Sequence, residues 1–246
     1  NNTANGIYTM YKNTTGSNNT VNGAYSLYNN ITGSNNTVFG YQAGYQAATS
    51  TNNVYIGMES GLGGANVTTA DNTFLGYRSG YNIATSTGNI FLGFQAGYSQ
   101  SIGDYNIALG YNVNLASTTG SSQLNIGNLL YATGLGTSTF QATGNVGIGT
   151  STPSAKFSIQ AASGYTGALF DIATSTLFGT SSLFRVLSSG NVGIGTTTPG
   201  SLLTLVDTAT TTKPLFSGVF GSTTPGTTQI FSLASTTASI FSVLAN

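Results

Sequence analysis

The sequence predicts an all-β chain, a parallel β-roll or β-solenoid followed by repeated short β-units, and three observations predict it. Glycine recurs at Gly6, Gly23, Gly40, Gly57, Gly76, Gly93, Gly110 and Gly127, seventeen residues apart with one interval of nineteen. Self-similarity at a short fixed period is the signature of a stacked array. Four residues before each glycine stands an asparagine (Asn2, Asn19, Asn36, Asn53, Asn72, Asn89 and Asn106), with Gln123 as the exception. Between asparagine and glycine lie short stretches, "NVYIG", "NTFLG", "NIFLG" and "NIALG", which carry a strand signal.

Composition sets the outer limits. Of 246 residues only 4% are charged, five of each sign, and His, Cys and Trp are absent. A net charge of zero gives no electrostatic reason to expect nucleic acid or an anionic membrane surface as partner. No disulfide can form, so redox chemistry says nothing of compartment. No apolar run approaches the roughly 20 residues that a membrane-spanning helix needs. Disorder is the other reading of a chain rich in Gly, Ser and Thr. Regular tyrosine, phenylalanine, leucine and isoleucine argue against it, since disordered chains are poor in such residues.

Within a coil, the residues three and one before the glycine share one face of the strand. In the middle coils that face is apolar, with Val54 and Ile56, Ile90 and Leu92, Ile107 and Leu109. It is therefore expected to form the core, growing more aliphatic along the roll, because Thr3, Asn5, Thr20 and Asn22 hold these places first. A second alternating strand is expected after the glycine, running to Tyr11, Tyr28, Tyr45, Leu62, Tyr81, Tyr98 or Leu115. A turn of Asn, Thr, Ser and Gly closes the coil.

In a parallel stack, equivalent positions lie about 4.8 Å apart, so seven steps rise only about 34 Å. Like residues should then form ladders, asparagine over asparagine in the turns and tyrosine over tyrosine inside. One such coil encloses little core. Tyr8, Met10, Tyr25 and Leu27 offer apolar groups on the opposite face. The surplus apolar surface points to a homo-oligomer, with cyclic symmetry favoured because most soluble oligomers close.

"NNVYIG", "GNIFLG" and "YNIALG" resemble the coils of trimeric autotransporter adhesin heads, and "NTANGIYTMYKNTTGSNNTVNGAYSLYNNITGSNNTVFGYQAG" is similar to repeats of phage tail fibres and related bacterial surface fibre proteins. The resemblance covers roughly residues 1 to 150 and implies a homotrimer. Each chain would be a left-handed β-roll packed about a common axis, presenting binding surfaces to another cell. The unit here is longer than that of the adhesin heads, and neither a membrane anchor nor a chaperone domain stands in the sequence.

The second half keeps the grammar at a new rhythm. "GNVGIGTSTP" (Gly144 to Pro153) returns as "GNVGIGTTTP" (Gly190 to Pro199). The proline is expected to end one strand, with "AKFSIQ" or "SLLTLV" starting the next. Between them recur "ALFDIATST", "SLFRVLSSG", "QIFSLASTT" and "SIFSVLAN". The organisation expected is a head-like β-roll over 1–139 and shaft-like repeats over 140–246, the latter intertwined between chains around shared Phe and Leu. Asn1 starts in register with Asn18 and Asn35, and "SIFSVLAN" matches the strand that precedes "GNVGIG". The chain is thus expected to be a segment of a longer protein.

The chemistry points away from catalysis. Without His or Cys, the usual bases, thiol nucleophiles and nitrogen or sulfur metal ligands are missing. The carboxylates Glu59, Asp71, Asp104, Asp171 and Asp207 are scattered. Glu59 and Arg78 hold equivalent stations one coil apart and are expected to pair, and Asp104 is expected to cap a turn rather than bind calcium. "GNVGIG" lacks the strand-to-helix context of a phosphate loop. Sequons begin at Asn1, Asn13, Asn18, Asn30, Asn35 and Asn66, but asparagine before threonine is also turn and ladder vocabulary. An ice-binding face would need a regular Thr-x-Thr pattern, which the coils are expected not to keep.

The functional expectation is a non-enzymatic, extracellular fibre protein on a cell surface or virion. It would take no cofactor, no catalytic residue and no metal, and its partners would be further copies of itself and a cell-surface glycan or protein receptor. Binding is assigned to the exposed turns, above all "GLGGANVTTAD". Two alternatives are a self-assembling filament subunit without its own receptor and a fibre-borne glycan hydrolase with an interchain site.

Overall fold

The computed structural model of the chain describes residues 1–64, 67–135, 144–176 and 179–206. Among these the chain is all-β, without helix. Coils of about 17 residues stack in parallel into a β-solenoid of about 7 turns. Each coil contributes one three-residue strand: β1 (Thr3–Asn5), β2 (Thr20–Asn22), β3 (Thr37–Phe39) and β4 (Val54–Ile56). The series continues with β6 (Thr73–Leu75), β8 (Ile90–Leu92), β9 (Ile107–Leu109) and β10 (Leu124–Ile126). Pairing is in register throughout, Thr3 against Thr20, Thr20 against Thr37, Phe74 against Phe91. A second parallel pair, β5 (Thr68–Ala70) with β7 (Thr85–Thr87), lies on another side of the coil. Bridges from Thr51 to Ala70 and from Thr85 to Ile102 extend it.

The recurrent glycine makes the corner after each strand. At Gly40 φ is +139°, and a Cβ there would stand 2.5 Å from the carbonyl oxygen of Gly57 in the next coil. Glycine stacked on glycine is the only residue that gives both the backbone conformation and the approach.

The core faces the other way from the expected one. The middle residue of each strand points inward: Val21, Val38, Tyr55, Phe74, Phe91 and Ala108 are buried. The flanking residues point outward, and Leu75 and Ile90 stay 45% and 39% exposed. With strands of three residues, one parity faces the interior and the other faces out. The column that grows more aliphatic is the outer one.

Among the described residues, no strand runs from the glycine to the expected ends at Tyr11, Tyr28, Tyr45, Leu62, Tyr81, Tyr98 or Leu115. The residues two and four after the glycine take left-handed conformations, as at Tyr8 (φ 54°), Met10 (φ 51°), Tyr25 (φ 57°) and Leu27 (φ 48°). Such angles are incompatible with a pleated strand, so the segment is a run of turns. It curls Met10 and Leu27 into the core, while Tyr8 remains outside. Tyrosine does stack on tyrosine, but on the surface: Tyr11 is 61% exposed. The interior stack is Tyr55, Phe74 and Phe91, with centroids 5.4 and 4.9 Å apart.

After β10 the chain reverses through β11 (Leu130–Ala132), antiparallel to both β10 and β12 (Val146–Ile148). β13 (Phe157–Ile159) then pairs with β12 in parallel. The same plan returns in a four-stranded sheet of β14 (Ala168–Thr176), β15 (Gly179–Leu187), β16 (Val192–Ile194) and β17 (Leu203–Leu205). There β15 meets β16 antiparallel and β17 joins in parallel. The repeated decapeptide repeats its bonds: Asn145 Nδ2 donates to Pro153 O at 2.9 Å, and Asn191 Nδ2 to Pro199 O at 3.0 Å. As expected, a new strand follows each proline.

The chain divides into two compact units, one of Asn1–Phe170 with Leu187–Ser189, the other of Asp171–Val186 with Gly190 onward. The boundary expected at 139 to 140 falls in 136–143, outside the described residues, as do "QIFSLASTT" and "SIFSVLAN".

Candidate functional site

The solenoid presents its chemistry as columns, one side chain per coil, and an internal amide column fixes their spacing. Asn19, Asn36, Asn53, Asn72, Asn89 and Asn106 are buried. Each uses its side chain twice. Asn36 Oδ1 accepts the backbone N–H of Asn53 at 3.0 Å, tying coil to coil, and Asn36 Nδ2 donates to Ser50 O at 2.8 Å, closing its own coil. Asn72 and Asn89 repeat the pattern, with Asn89 N to Asn72 Oδ1 at 2.9 Å and Asn89 Nδ2 to Gly103 O at 2.9 Å. A buried amide held on both ends is satisfied rather than costly.

Three outward sides follow. The first is the outer parity of the strands, polar at Thr3, Asn5, Thr20 and Asn22, and carrying large apolar groups from Phe39 onward. The second follows the glycine corner and is aromatic. Tyr11, Tyr28 and Tyr45 stack with centroids 5.3 and 5.0 Å apart, and Tyr77, Phe94 and Tyr111 with 5.1 and 4.9 Å. Stacked along the column, these rings cover one another's faces and leave edges and hydroxyls to solvent. Burial first, then the neighbouring phenols of Tyr45 and Tyr11, push the Tyr28 phenol above its ordinary value.

The third side is hydroxyl-rich. Thr15, Thr32, Thr49, Thr68, Thr85 and Thr119 form one exposed column, broken by Ile102. The regular Thr-x-Thr face is not kept, since in the neighbouring column Ser17, Ser34, Thr51 and Thr87 share the place with Ala70 and Asp104. At the adjoining corner Asn35 donates to Asn52 Oδ1 at 3.2 Å and Asn52 to Asp71 Oδ1 at 3.0 Å.

The expected ion pair is present: Arg78 Nε donates to Glu59 Oε2. The guanidinium also lies over Tyr77 and Tyr81, 5.0 and 5.1 Å from their centroids. The hydrogen bond to Glu59 is the main cause raising its pKa further above the ordinary value. Asp104 Oδ1 accepts the N–H of Thr87, a strand residue of the preceding coil, at 2.7 Å, which makes it an intercoil tie rather than the expected turn cap, and Asp171 pairs with Arg185 at 3.1 Å. Asp207 lies outside the described residues. The described carboxylates are separately engaged, and no cluster of three or more ligating His, Cys, Asp or Glu occurs among the described residues.

Of the sequons, Asn1, Asn18 and Asn35 are exposed, and Asn66 lies outside the described residues. Asn30 is fully buried and donates to Asn13 Oδ1 at 2.7 Å and Gly33 O at 3.0 Å, an internal structural role. A cleft of about 540 Å³ beside β12 and β13, lined by Tyr131, Thr150 and Gln160 among others, holds no carboxylate, lysine or arginine in its wall.

What sequence reasoning missed is the outward apolar strand face. A signal existed: the middle strand residue is already apolar in the first two coils, Ala4 and Val21, where its neighbours are Thr3, Asn5, Thr20 and Asn22. Comparison with family models, curated proteins and solved structures finds no match to this chain.

Proposed function

We propose that this chain is a non-enzymatic, extracellular fibre protein of adhesin or tail-fibre type, working as a homotrimer in attachment to another cell or surface. One observation carries the self-association. Among the described residues of 144–206 no large apolar side chain is buried, and Phe157, Leu183, Leu202 and Leu203 are exposed. Short strands without a hydrophobic face covered are not stable in water, so these units take their core from other copies. The hydroxyl and amide side of the solenoid is then left outward, with the hydrogen-bonding groups a glycan or protein receptor would meet. The dispersed, individually paired carboxylates favour this reading over a hydrolase, whose paired carboxyls must flank one bond.

Negative-stain micrographs of the purified chain test it, together with a polysaccharide turnover panel and binding to a glycan array. Discrete particles of uniform length, with binding and no turnover, are expected. Long polymers would replace attachment by filament formation, and turnover would replace it by hydrolysis.

A further inference from the structure

We propose that the stacked column of Tyr11, Tyr28 and Tyr45 is a site of oxidative modification, at which hydrogen peroxide and a peroxidase join neighbouring rings as dityrosine and so tie coil to coil. The chain has no cysteine, so no disulfide can make such a tie.

The column holds the reacting atoms side by side. Tyr11 and Tyr28 stack at 5.3 Å with 11° between their planes, and Tyr28 and Tyr45 at 5.0 Å with 6°. Each ring repeats the previous one a coil further on, so every ortho carbon stands one ring spacing from its counterpart. The backbone fixes this register: the N–H of Lys12 donates to Tyr28 O at 3.1 Å, and that of Asn29 to Tyr45 O at 3.0 Å. Rotation about the side-chain torsions closes the remaining gap. A partner already in place turns a bimolecular coupling into a step within one chain. The oxidant reaches the column from outside, where Tyr11 is exposed and Tyr28 and Tyr45 are half-buried.

The peroxidase takes one electron and one proton from each of two phenols, and the peroxide leaves as two waters. The two phenoxyl radicals form one carbon–carbon bond between ortho carbons. Each ring then sheds its ortho proton and regains a proton on oxygen, so the product is the chain less two hydrogens per link. The tie falls where the core is small. The inner strand station holds Val21 and Val38 in the second and third coils, against Tyr55, Phe74 and Phe91 in the next three. A cross-link stabilises such coils by restricting the unfolded chain.

The other stacked rings supply the contrast. Tyr81 and Tyr98 stack at 5.0 Å and 13°, and should couple as well. Tyr77 and Tyr111 have Phe94 between them, which offers no phenol. They should not couple, although Tyr111 is 74% exposed.

Trypsin digestion of the unfolded product tests the proposal. Lys12 separates Tyr11 from Tyr28, and no other lysine or arginine precedes Arg78. Peptide 1–12 is therefore freed from the untreated full chain. After peroxidase treatment it should stay joined to peptide 13–78 in a product of single-chain mass. Tyr28→Phe should free it again while keeping the Tyr81–Tyr98 link within peptide 79–156. The oxidised chain should also melt at a higher temperature, a shift reduced in Tyr28→Phe. Peptide 1–12 still joined in Tyr28→Phe would move the link to Tyr8 and overturn the column. Chains joined to one another through Tyr111, with peptide 1–12 free, would show that exposure and not stacking decides the coupling. A treated chain without dityrosine fluorescence would equally overturn the proposal.

Discussion

The ring of Phe74 fills the space that a side chain at Gly80 would need: a Cβ there would stand 2.6 Å from Phe74 Cδ2. The same two stations are Val21 and Leu27 in the second coil, both buried, with Leu27 at φ 48° where Gly80 has φ 62°. In the second and fifth coils one core volume is therefore shared between strand and turn, valine beside leucine or phenylalanine beside glycine. Tyr55 with Gly61 follows the rule, the closest approach of a Cβ at Gly61 being 2.8 Å.

Gly80→Ala should destabilise the chain by about 2–4 kcal/mol, from a left-handed alanine and an overfilled core. Gly80→Leu alone should lose more, and Phe74→Val with Gly80→Leu copies the second coil and should recover much of the loss of Gly80→Leu. Urea unfolding of the two single variants and the double variant measures the coupling, expected to be at least about 1 kcal/mol. Additive losses would mean that the stations do not share one space.

The amide column predicts a different kind of loss. Asn53 Oδ1 accepts the N–H of Asn72 at 3.0 Å, and Asn53 Nδ2 donates to Thr69 O at 3.1 Å. Asn53→Ala leaves the buried N–H of Asn72 without its acceptor, at about 1–3 kcal/mol, while Thr69 O keeps the Thr51 N–H at 2.9 Å. The midpoint of thermal unfolding should fall clearly. Exposed Thr32, on the hydroxyl side, tests the contrast: Thr32→Ala should change stability by under about 0.5 kcal/mol.

Alkali should weaken the solenoid through Tyr55. Its hydroxyl is buried against Thr69 Oγ1 at 2.5 Å, and burial pushes the phenol well above its ordinary value. The folded state thus resists ionisation that the unfolded chain allows from about pH 10. Stability from the neutral phenol is full below that pH and is lost as pH rises beyond it. Denaturant midpoints between pH 8 and 11 should fall less steeply in Tyr55→Phe; equal slopes would remove Tyr55 as the cause.

The legible part of the fold was what the repeat itself writes. Asparagine recurs because each amide bonds the next coil, and glycine recurs because its corner stacks on another glycine. Glu59 and Arg78 were found by station alone. The core parity was not legible from "VYI", "IFL" or "IAL", because a parallel strand with apolar residues on both faces shows no alternation. The supposed second strand failed for a backbone reason, since left-handed angles at Tyr25 and Leu27 are set by coil closure and non-glycine residues give little warning of them. Gly44, Gly61, Gly80 and Gly97, in the place of Leu27, were the clue.

The native mass of the chain in solution, by light scattering at neutral pH, tests the central claim most directly. The account predicts three chains per particle, because the fibre reading covers the outward strand face and the exposed apolar side chains of 144–206, among them Phe157 and Leu203, with further copies. A particle of one chain, with the β-structure intact by circular dichroism, would contradict it.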